Sequence, residues 1–311
     1  KWIYKLFKLF SKKMNFKGLG VAMITPFDDK GKVDYDSIPP IVENIISGGA
    51  DYLVLMGTTA EVPCLSSKEK KNIVKIVSKV NHNRLPMIIG IGGNNTSGVI
   101  SEISQTDLSP FGAILSVSPY YNKPSQEGIY SHFSEIANIS PLPIIIYNVP
   151  SRTGSSVNPS TFIRLCEENE KIYAIKESSG DLSLAKEIIK NSSPEIQVIS
   201  GDDAMTLPTL LTGGVGTISV LANALPKPIV NLFQQVKNGN LNEAYELNNR
   251  LMDVIRLLFK EGNPVGIKCL MELMGICKKN VRLPLVSASP DLMNKMQELL
   301  KNSTLNFSGD Q

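Results

Sequence analysis

The chain has 311 residues, of which 42% are hydrophobic and 20% are charged, a composition typical of a globular protein with a sizeable core. Its net charge of +3 is too small to indicate nucleic-acid binding, and no run of about twenty apolar residues predicts a membrane span. Four cysteines without a CxxC motif and only two histidines argue against a disulfide scaffold, a zinc site or histidine-based catalysis, and they predict a reducing, cytoplasmic location.

The first thirteen residues differ from the rest of the chain. They form a basic amphipathic run that contains no acidic residue. Three interpretations are open: an artefact that precedes a true start at Met14, a targeting segment that lacks the expected arginines, or a weak membrane-surface binder. We favour the first and leave residues 1–13 out of the fold argument.

From Met14 onward, short apolar runs alternate with amphipathic stretches. The runs are apolar nearly throughout, which is typical of parallel strands that are covered on both faces. The predicted strands are Gly18–Thr25, Tyr52–Met56, Pro86–Ile91, Gly112–Val117, Pro143–Tyr147, Ile172–Lys176, Ile196–Ser200 and Val215–Val220.

Helical patterns follow these strands. Ser66 and Glu69 form a capping box before an apolar stripe, which predicts the start of a core-facing helix. Eight strands that each precede a helix predict a (β/α)8 barrel over residues 14–238. An open doubly wound sheet is the second choice, but Gly90-Ile-Gly92-Gly93 matches its glycine fingerprint only weakly. The other predicted helices are Asp34–Ser47, Thr96–Thr106, Gln126–Asn138, Pro159–Glu168, Asp181–Asn191 and Ala204–Leu211.

The pattern changes after the eighth strand, where four helical stretches follow without strands between them. The first is expected to close the barrel. Residues 239–311 are expected to form a C-terminal helical extension that ends in a polar tail from Ser303. The four stretches are Pro226–Asn238, Leu241–Lys260, Pro264–Cys277 and Ser289–Lys301.

Lys176 closes the apolar run of the sixth predicted strand. Burying an ammonium without a partner is costly, so burial favours the neutral amine. A neutral amine at the mouth of a barrel is the nucleophile that forms a Schiff base with a carbonyl substrate. Taken alone, the commoner explanation is a lysine whose stem lies on the strand while its head reaches water.

Polar residues also stand at the carboxyl ends of other predicted strands, where such barrels place their chemistry. Each group has a structural explanation as a helix cap, a loop anchor or a solvated charge. Their shared place on one rim, together with Lys176, favours a catalytic site. The groups are Gly57-Thr58-Thr59-Ala60-Glu61, Ser118-Pro119-Tyr120-Tyr121-Asn122, the stretch from Tyr147 to Gly154, and Ser200-Gly201-Asp202-Asp203.

These motifs, in this order, resemble those of the dihydrodipicolinate synthase and N-acetylneuraminate lyase family, the class I pyruvate-dependent aldolases with a barrel fold. The resemblance covers residues 18–285. Sialic acid lyases typically carry no arginine at the position of Arg152, so the chain is most similar to the synthase branch, whose aldehyde substrate brings a carboxylate that a guanidinium suits. The matching motifs are Gly57-Thr-Thr-Ala-Glu61, Pro119-Tyr-Tyr-Asn122, Tyr147-Asn-Val-Pro-Ser-Arg-Thr-Gly154 and Ile175-Lys-Glu-Ser-Ser-Gly180.

The resemblance implies a condensation of pyruvate with L-aspartate 4-semialdehyde to 4-hydroxy-tetrahydrodipicolinate, a step of lysine biosynthesis. Lys176 is expected to form the imine, which acts as the electron sink, so no metal or organic cofactor is expected. Tyr147, Thr58 and Tyr121 are expected to move protons, with Tyr121 reaching in from a neighbouring subunit of a dimer or tetramer.

The resemblance also implies the substrate contacts. Backbone N–H groups of Thr58 and Thr59 are expected to hold the pyruvate carboxylate at the start of a helix. Arg152 is expected to receive the carboxylate of the semialdehyde. The expected substrate-binding residues are Thr59, Arg152, Gly201 and Ile218.

Two positions depart from the family pattern. Ala60 replaces the usual glycine after the paired threonines, which would be costly if that position needs a positive φ. Gly98 stands where lysine-regulated members carry a glutamate, although Asn94 and Tyr120 match, so we expect weak or absent inhibition by L-lysine.

Two other functions remain open at this point. One is a related pyruvate aldolase that acts on a sugar acid or on 4-hydroxy-2-oxoglutarate. The other is a non-catalytic barrel, which is disfavoured because Lys176, Tyr147, Tyr121 and Thr58 are all present.

Overall fold

The computed structural model describes residues 14–302 and contains a closed barrel of eight parallel strands. Each strand is hydrogen-bonded to the next in sequence, and the eighth closes the barrel on the first with Ile218 opposite Gly20. The predicted (β/α)8 fold is therefore confirmed, and the open doubly wound sheet is wrong. The strands are β1 (Gly18–Ala22), β2 (Tyr52–Leu55), β3 (Met87–Gly90), β4 (Ala113–Val117), β5 (Ile144–Asn148), β6 (Ile172–Glu177), β7 (Gln197–Ser200) and β8 (Gly216–Ser219).

Helices follow the strands and then continue beyond the barrel. The predicted capping box is present, because the Ser66 hydroxyl accepts the Glu69 N–H and the Ser66 N–H donates to the Glu69 carboxylate at 2.8 Å. The helices are α1 (Ile38–Ser47), α2 (Ser67–Asn81), α3 (Thr96–Gln105), α4 (Gln126–Ile139), α5 (Pro150–Thr153), α6 (Pro159–Glu168), α7 (Leu182–Asn191), α8 (Thr206–Leu211), α9 (Pro226–Asn238), α10 (Leu241–Lys260), α11 (Val265–Leu273) and α12 (Pro290–Asn302).

Helix ends differ from the prediction where the backbone turns sharply. α11 ends at Leu273 instead of Cys277, because Gly275 adopts a left-handed φ of 73° that stops the helix. The first turns of the stretches predicted from Asp34 and from Ala204 are 3-10 turns, which precede α1 and α8. The short helix α5, which carries Arg152, was not predicted.

Two hydrophobic cores hold the barrel together. The larger one lies between the strands and the helices, and the smaller one fills the barrel interior. Side chains alternate between them along the strands, apart from Tyr173 and Ala174 of β6, which both lie in the interior core. Ile145 and Tyr147 of β5 face inward with Ala174. The same period of two carries Lys176 into the interior at the carboxyl end of β6.

The helices after β8 belong to the same packed body. α10 buries Leu247, Leu251 and Leu258 in the outer core that the barrel helices share. The division between residues 14–238 and 239–311 stays a prediction. The interpretations of residues 1–13 and of the tail from Ser303 lie outside the described residues. Across residues 14–302, no helix combines the length and apolarity that a bilayer crossing requires.

Candidate active site

Lys176 lies inside the barrel mouth, where only 5% of its surface is exposed. Its strand pairs with β5 so that Lys176 and Tyr147 are direct neighbours across the ladder. The Lys176 amine lies 4.3 Å from the centre of the Tyr147 ring. The last inward position of β6 therefore presents a buried amine against a phenol.

Gly201 leaves room for this lysine. It follows β7, and its N–H donates to the Glu177 carbonyl at 2.7 Å. A Cβ atom at this position would lie 2.7 Å from Lys176 Cε and would collide with the Ser178 hydroxyl. Only glycine allows the backbone of β7 to approach the lysine so closely.

The Tyr147 phenol is more acidic than a buried phenol would otherwise be. Burial raises the pKa of Tyr147, but the charge of Lys176 and a hydrogen bond with Thr58 more than offset that effect, so the pKa is lowered overall. Arg152 and Ser178 act in the same direction. The residues predicted to move protons, Tyr147 and Thr58, are thus in contact.

The loop after β2 carries Thr58 and Thr59 in a strained conformation. Thr58–Ala60 form a single 3-10 turn, flanked by Met56 and Glu61 with left-handed φ values of 56° and 54°. Thr58 is the first residue of this 3-10 turn, a second short turn follows, and α2 begins at Ser67. Ala60 lies inside the first turn without a positive φ, so its methyl group causes no backbone strain.

Thr59 is held by a residue that the sequence did not indicate. Its side chain is buried, and its hydroxyl accepts a hydrogen bond from the Asn263 amide at 3.0 Å. Asn263 lies two residues before the start of α11 in the C-terminal extension. No motif connects two residues this far apart in the chain, so only the folded structure identifies the contact.

The remaining predicted residues occupy different parts of the barrel mouth. Ile218 is fully buried in the interior core that also contains Tyr147. Arg152 is exposed on α5, within electrostatic reach of the Tyr147 phenol. Tyr121 is 89% exposed, with a left-handed φ of 73°, and this chain does not bring it to Lys176.

Two buried carboxylates, those of Glu177 and Asp203, form hydrogen bonds between neighbouring strand ends at the mouth of the barrel. Glu177 accepts hydrogen bonds from the Asn148 amide at 2.7 Å and from the Ser179 N–H at 2.6 Å. Asp203 accepts from the Ser219 hydroxyl and from the Val220 N–H. Burial raises the pKa of both carboxyl groups. The Asn148 bond connects the ends of β5 and β6, and the Asp203 bonds connect the loop after β7 to the end of β8.

The opposite end of the barrel is built differently. A groove of about 1030 Å³ lies there, bordered by Met14, Lys171 and Tyr173 among others. It sits at the amino ends of the strands, whereas barrels of this type place catalytic side chains at the carboxyl ends. Within residues 14–302, no three His, Cys, Asp or Glu side chains cluster as metal ligands would.

The model of the dihydrodipicolinate synthetase family matches residues 15–303. The chain belongs to this family. It is 46% identical over 283 residues to the 4-hydroxy-tetrahydrodipicolinate synthase of Cytophaga hutchinsonii, which covers 91% of this chain and 95% of the relative. The synthase of Flavobacterium psychrophilum is 44% identical over 286 residues, covering 92% of this chain and 98% of the relative.

A solved structure of this family has the same fold as the chain. The chloride-inhibited dihydrodipicolinate synthase of Acinetobacter baumannii, determined in complex with pyruvate, has a TM-score of 0.88 at 35% identity and covers 92% of this chain and 98% of its own. The family and fold predicted from the sequence are confirmed. The expected function, that of a 4-hydroxy-tetrahydrodipicolinate synthase and hence a lyase, is confirmed with them.

Proposed function

We propose that the chain condenses pyruvate with L-aspartate 4-semialdehyde through an imine on Lys176. The observation that carries this proposal is the buried Lys176 amine, 4.3 Å from the Tyr147 ring at the mouth of the barrel. A solvated lysine would extend its amine into water instead. The proposal also agrees with the relative that was solved with pyruvate.

The reaction begins when Lys176 passes its ammonium proton to the neighbouring Tyr147 phenolate and the neutral amine attacks the ketone carbon of pyruvate. Loss of water gives the imine, and the imine then withdraws electrons as a methyl proton leaves to form the enamine. The enamine carbon attacks the aldehyde of the semialdehyde, whose oxygen takes up a proton. The amino group of the semialdehyde portion then attacks the imine carbon, which closes the ring, and the bond from that carbon to the Lys176 nitrogen breaks and regenerates the amine. Neither a metal nor an organic cofactor is required, because the imine nitrogen accepts the electrons.

Tyr147 and Thr58 are the proton carriers of the proposal. A phenol with a lowered pKa exchanges its proton more readily at neutral pH than an ordinary tyrosine. The Thr58 hydroxyl can accept a proton from one side and donate one on the other, so it can connect Tyr147 to a further group. That group is Tyr121 of a neighbouring copy.

Two positions receive the carboxylates of the substrates. The Thr58–Thr59 turn, with Gly201 and Ile218 nearby in the barrel mouth, is proposed to bind pyruvate. Arg152 is proposed to bind the carboxylate of the semialdehyde, because its exposed guanidinium can form two parallel hydrogen bonds at the entrance.

Borohydride trapping tests the central step. Reduction in the presence of pyruvate should attach a lactyl group to Lys176, detectable by peptide mass mapping, and should abolish activity. Lys176→Met should give no adduct, whereas Lys186→Met, which removes an exposed lysine of α7, should react like the unchanged protein. An adduct on another lysine, or none at all, would overturn the proposal.

The choice of aldehyde needs a separate assay. The chain should condense pyruvate with L-aspartate 4-semialdehyde, and should cleave N-acetylneuraminate or 4-hydroxy-2-oxoglutarate at least about a hundredfold more slowly, a discrimination that a carboxylate clamp can supply. Arg152→Ala should raise the KM for the semialdehyde more than the KM for pyruvate. Faster cleavage of either alternative substrate would assign the chain to that reaction.

We further propose a homo-oligomer, a dimer or a tetramer, in which Tyr121 completes the site of a neighbouring copy. Its exposure and left-handed backbone are consistent with a side chain that acts outside its own subunit. Mixing Lys176→Met chains with Tyr121→Phe chains should restore activity, because hybrid assemblies contain sites with both residues intact. Mixtures no more active than the separate variants would contradict the shared site.

Regulation and location complete the proposal. Inhibition by L-lysine should be weak, because Gly98 supplies no carboxylate for the ligand amine. A dissociation constant below about 1 mM, measured by calorimetry, would contradict this. The scattered cysteines support a cytoplasmic location, which microscopy of a fluorescent fusion would test.

A further inference from the structure

The loop that carries Thr58 and Thr59 adopts a backbone that its own sequence does not favour. Met56 and Glu61, on either side of the turn, both have positive φ values, which bulky side chains rarely adopt. The backbone of Gly90 lies so close to the Met56 carbonyl that a Cβ atom on residue 90 would collide with it. Such strained conformations persist only where the surrounding structure enforces them.

The C-terminal extension supplies the enforcing contacts at Glu61. The Glu61 carboxylate accepts a hydrogen bond from the Lys268 amine at 2.6 Å and another from the Arg282 N–H at 2.9 Å. The side chains of the ion pair are 0% and 1% exposed, so it lies within the protein and not on its surface. Lys268 also donates to the Asn280 carbonyl at 2.8 Å. The carboxylate thereby connects α11 and the segment after it to the loop.

The C-terminal extension also contacts Thr59, inside the turn. Asn263 donates its amide to the Thr59 hydroxyl at 3.0 Å, a buried contact. Arg282 adds a two-point contact with Glu69, the capping residue of α2, at 2.6 and 3.0 Å. Three residues of the extension therefore hold the β2–α2 loop at successive points.

We propose that Asn263 and Lys268 are positioning residues, which hold the Thr58–Thr59 turn in the shape that binds pyruvate. The inference rests on the proposed function, because it assumes that this turn receives the pyruvate carboxylate. It predicts a specific defect: weaker pyruvate binding with little effect on the second substrate, which enters at Arg152.

The decisive experiment is a double-mutant cycle between Asn263 and Thr59. Asn263→Ala should raise the KM for pyruvate about tenfold, the loss expected for one buried hydrogen bond, and leave the KM for the semialdehyde within twofold. Because Asn263 acts through the Thr59 hydroxyl, the same change in a Thr59→Val background should add less than twofold. Thr59→Ser, which keeps the hydroxyl, should retain most of the affinity.

The ion pair needs a paired variant, because Lys268→Met alone leaves a buried carboxylate without its cation and destabilises the fold. Glu61→Gln with Lys268→Met removes both charges, should melt closer to the unchanged protein than the single variant, and should still raise the KM for pyruvate severalfold. Lys260→Met is the matched control, since it breaks an exposed pair with Asp291 in the same extension. It should change neither KM.

The outcomes separate this inference from the proposed function. Failure of the unchanged protein to form a borohydride adduct with pyruvate would overturn both. A normal adduct together with an unchanged pyruvate KM in Asn263→Ala would overturn only the positioning role. Additive effects of Asn263→Ala and Thr59→Val, or equal increases in both KM values, would overturn it as well, because they would indicate a general structural defect.

Discussion

Among residues 14–302, three tyrosines face the interior of the barrel, and its two ends affect the pKa values of their phenols differently. At the amino end, Tyr173 stacks on Phe16 with ring centres 5.9 Å apart, and Tyr52 packs edge-on against the same ring at 6.3 Å. Burial raises the pKa of Tyr173 to about 12 and raises that of Tyr52 further. At the carboxyl end, the pKa of Tyr147 is lowered, although this phenol is buried too.

The difference shows that burial alone does not decide the direction in which the pKa of a phenol shifts. Desolvation opposes ionisation of all three phenols, because each would place a negative charge in a poorly solvating interior. A lysine, an arginine and a threonine hydroxyl lower the pKa of Tyr147, whereas the like-signed carboxylate of Asp51 raises that of Tyr52. Placement of charge therefore distinguishes Tyr147, at the end proposed to be catalytic, from Tyr52 at the amino end.

Removing Lys176 should make the phenols at the two ends of the barrel alike, with raised pKa values at both, and should have the largest effect on activity. We expect Lys176→Met to lower kcat about 10⁴-fold or more, since the proposed covalent nucleophile is lost. Without that charge, desolvation dominates at Tyr147, so its pKa should rise. Ultraviolet titration, taken as the difference from a Tyr147→Phe variant, measures the phenol. A pKa that stays low would assign the shift to Arg152 and Thr58 instead.

Deleting each hydroxyl in turn compares the ends directly. Tyr147→Phe should lower kcat by about 10² to 10³-fold, the usual contribution of a positioned proton carrier. Tyr173→Phe removes the same atom from the amino end and should change kcat less than twofold. Steady-state kinetics on both variants provide the check, and similar losses in the two would contradict a functional distinction between the ends.

Breaking the contact between Thr58 and Tyr147 should have a smaller effect. The hydrogen bond from Thr58 lowers the pKa of the phenol, so Thr58→Val should raise it and move the Tyr147 titration to higher pH. We expect kcat to fall about tenfold, and Thr58→Ser to restore both properties. An unshifted pH profile in Thr58→Val would show that the hydroxyl does not act on the phenol.

The smallest effect concerns stability in alkali. Burial raises the pKa of Tyr173 to about 12 in the folded chain, whereas it is near 10 in the unfolded chain. The folded state therefore binds the phenol proton more tightly. This contribution to the free energy of unfolding is complete below pH 10 and is lost as the pH rises toward 12. Tyr173→Phe should therefore lose less stability than the unchanged protein between pH 9 and 11. Melting temperatures at the two pH values test this, and identical losses would contradict it.

The amino-acid sequence by itself determined the local elements and the reactive rim. Continuous apolar runs identified every strand of the barrel, because strands covered on both faces need apolar residues throughout. Lys176 was recognisable for the same reason, as a charge at the end of such a run. Tyr147 lies near the end of β5, Thr58 in the loop after β2 and Gly201 directly after β7. Closing the barrel brings the carboxyl ends of its strands to one rim.

Only the tertiary structure decided which distant residues support that rim. Asn263 and Thr59 are 204 positions apart, and Lys268 and Glu61 are 207 apart. Residue periodicity reports on neighbours within a helix or strand, whereas these contacts exist only after the barrel has closed and α11 has packed beside the loop that follows β2. The left-handed backbone of Met56 and Glu61 could not be predicted from the sequence for a related reason. Neither residue type favours that conformation, and the surrounding packing imposes it.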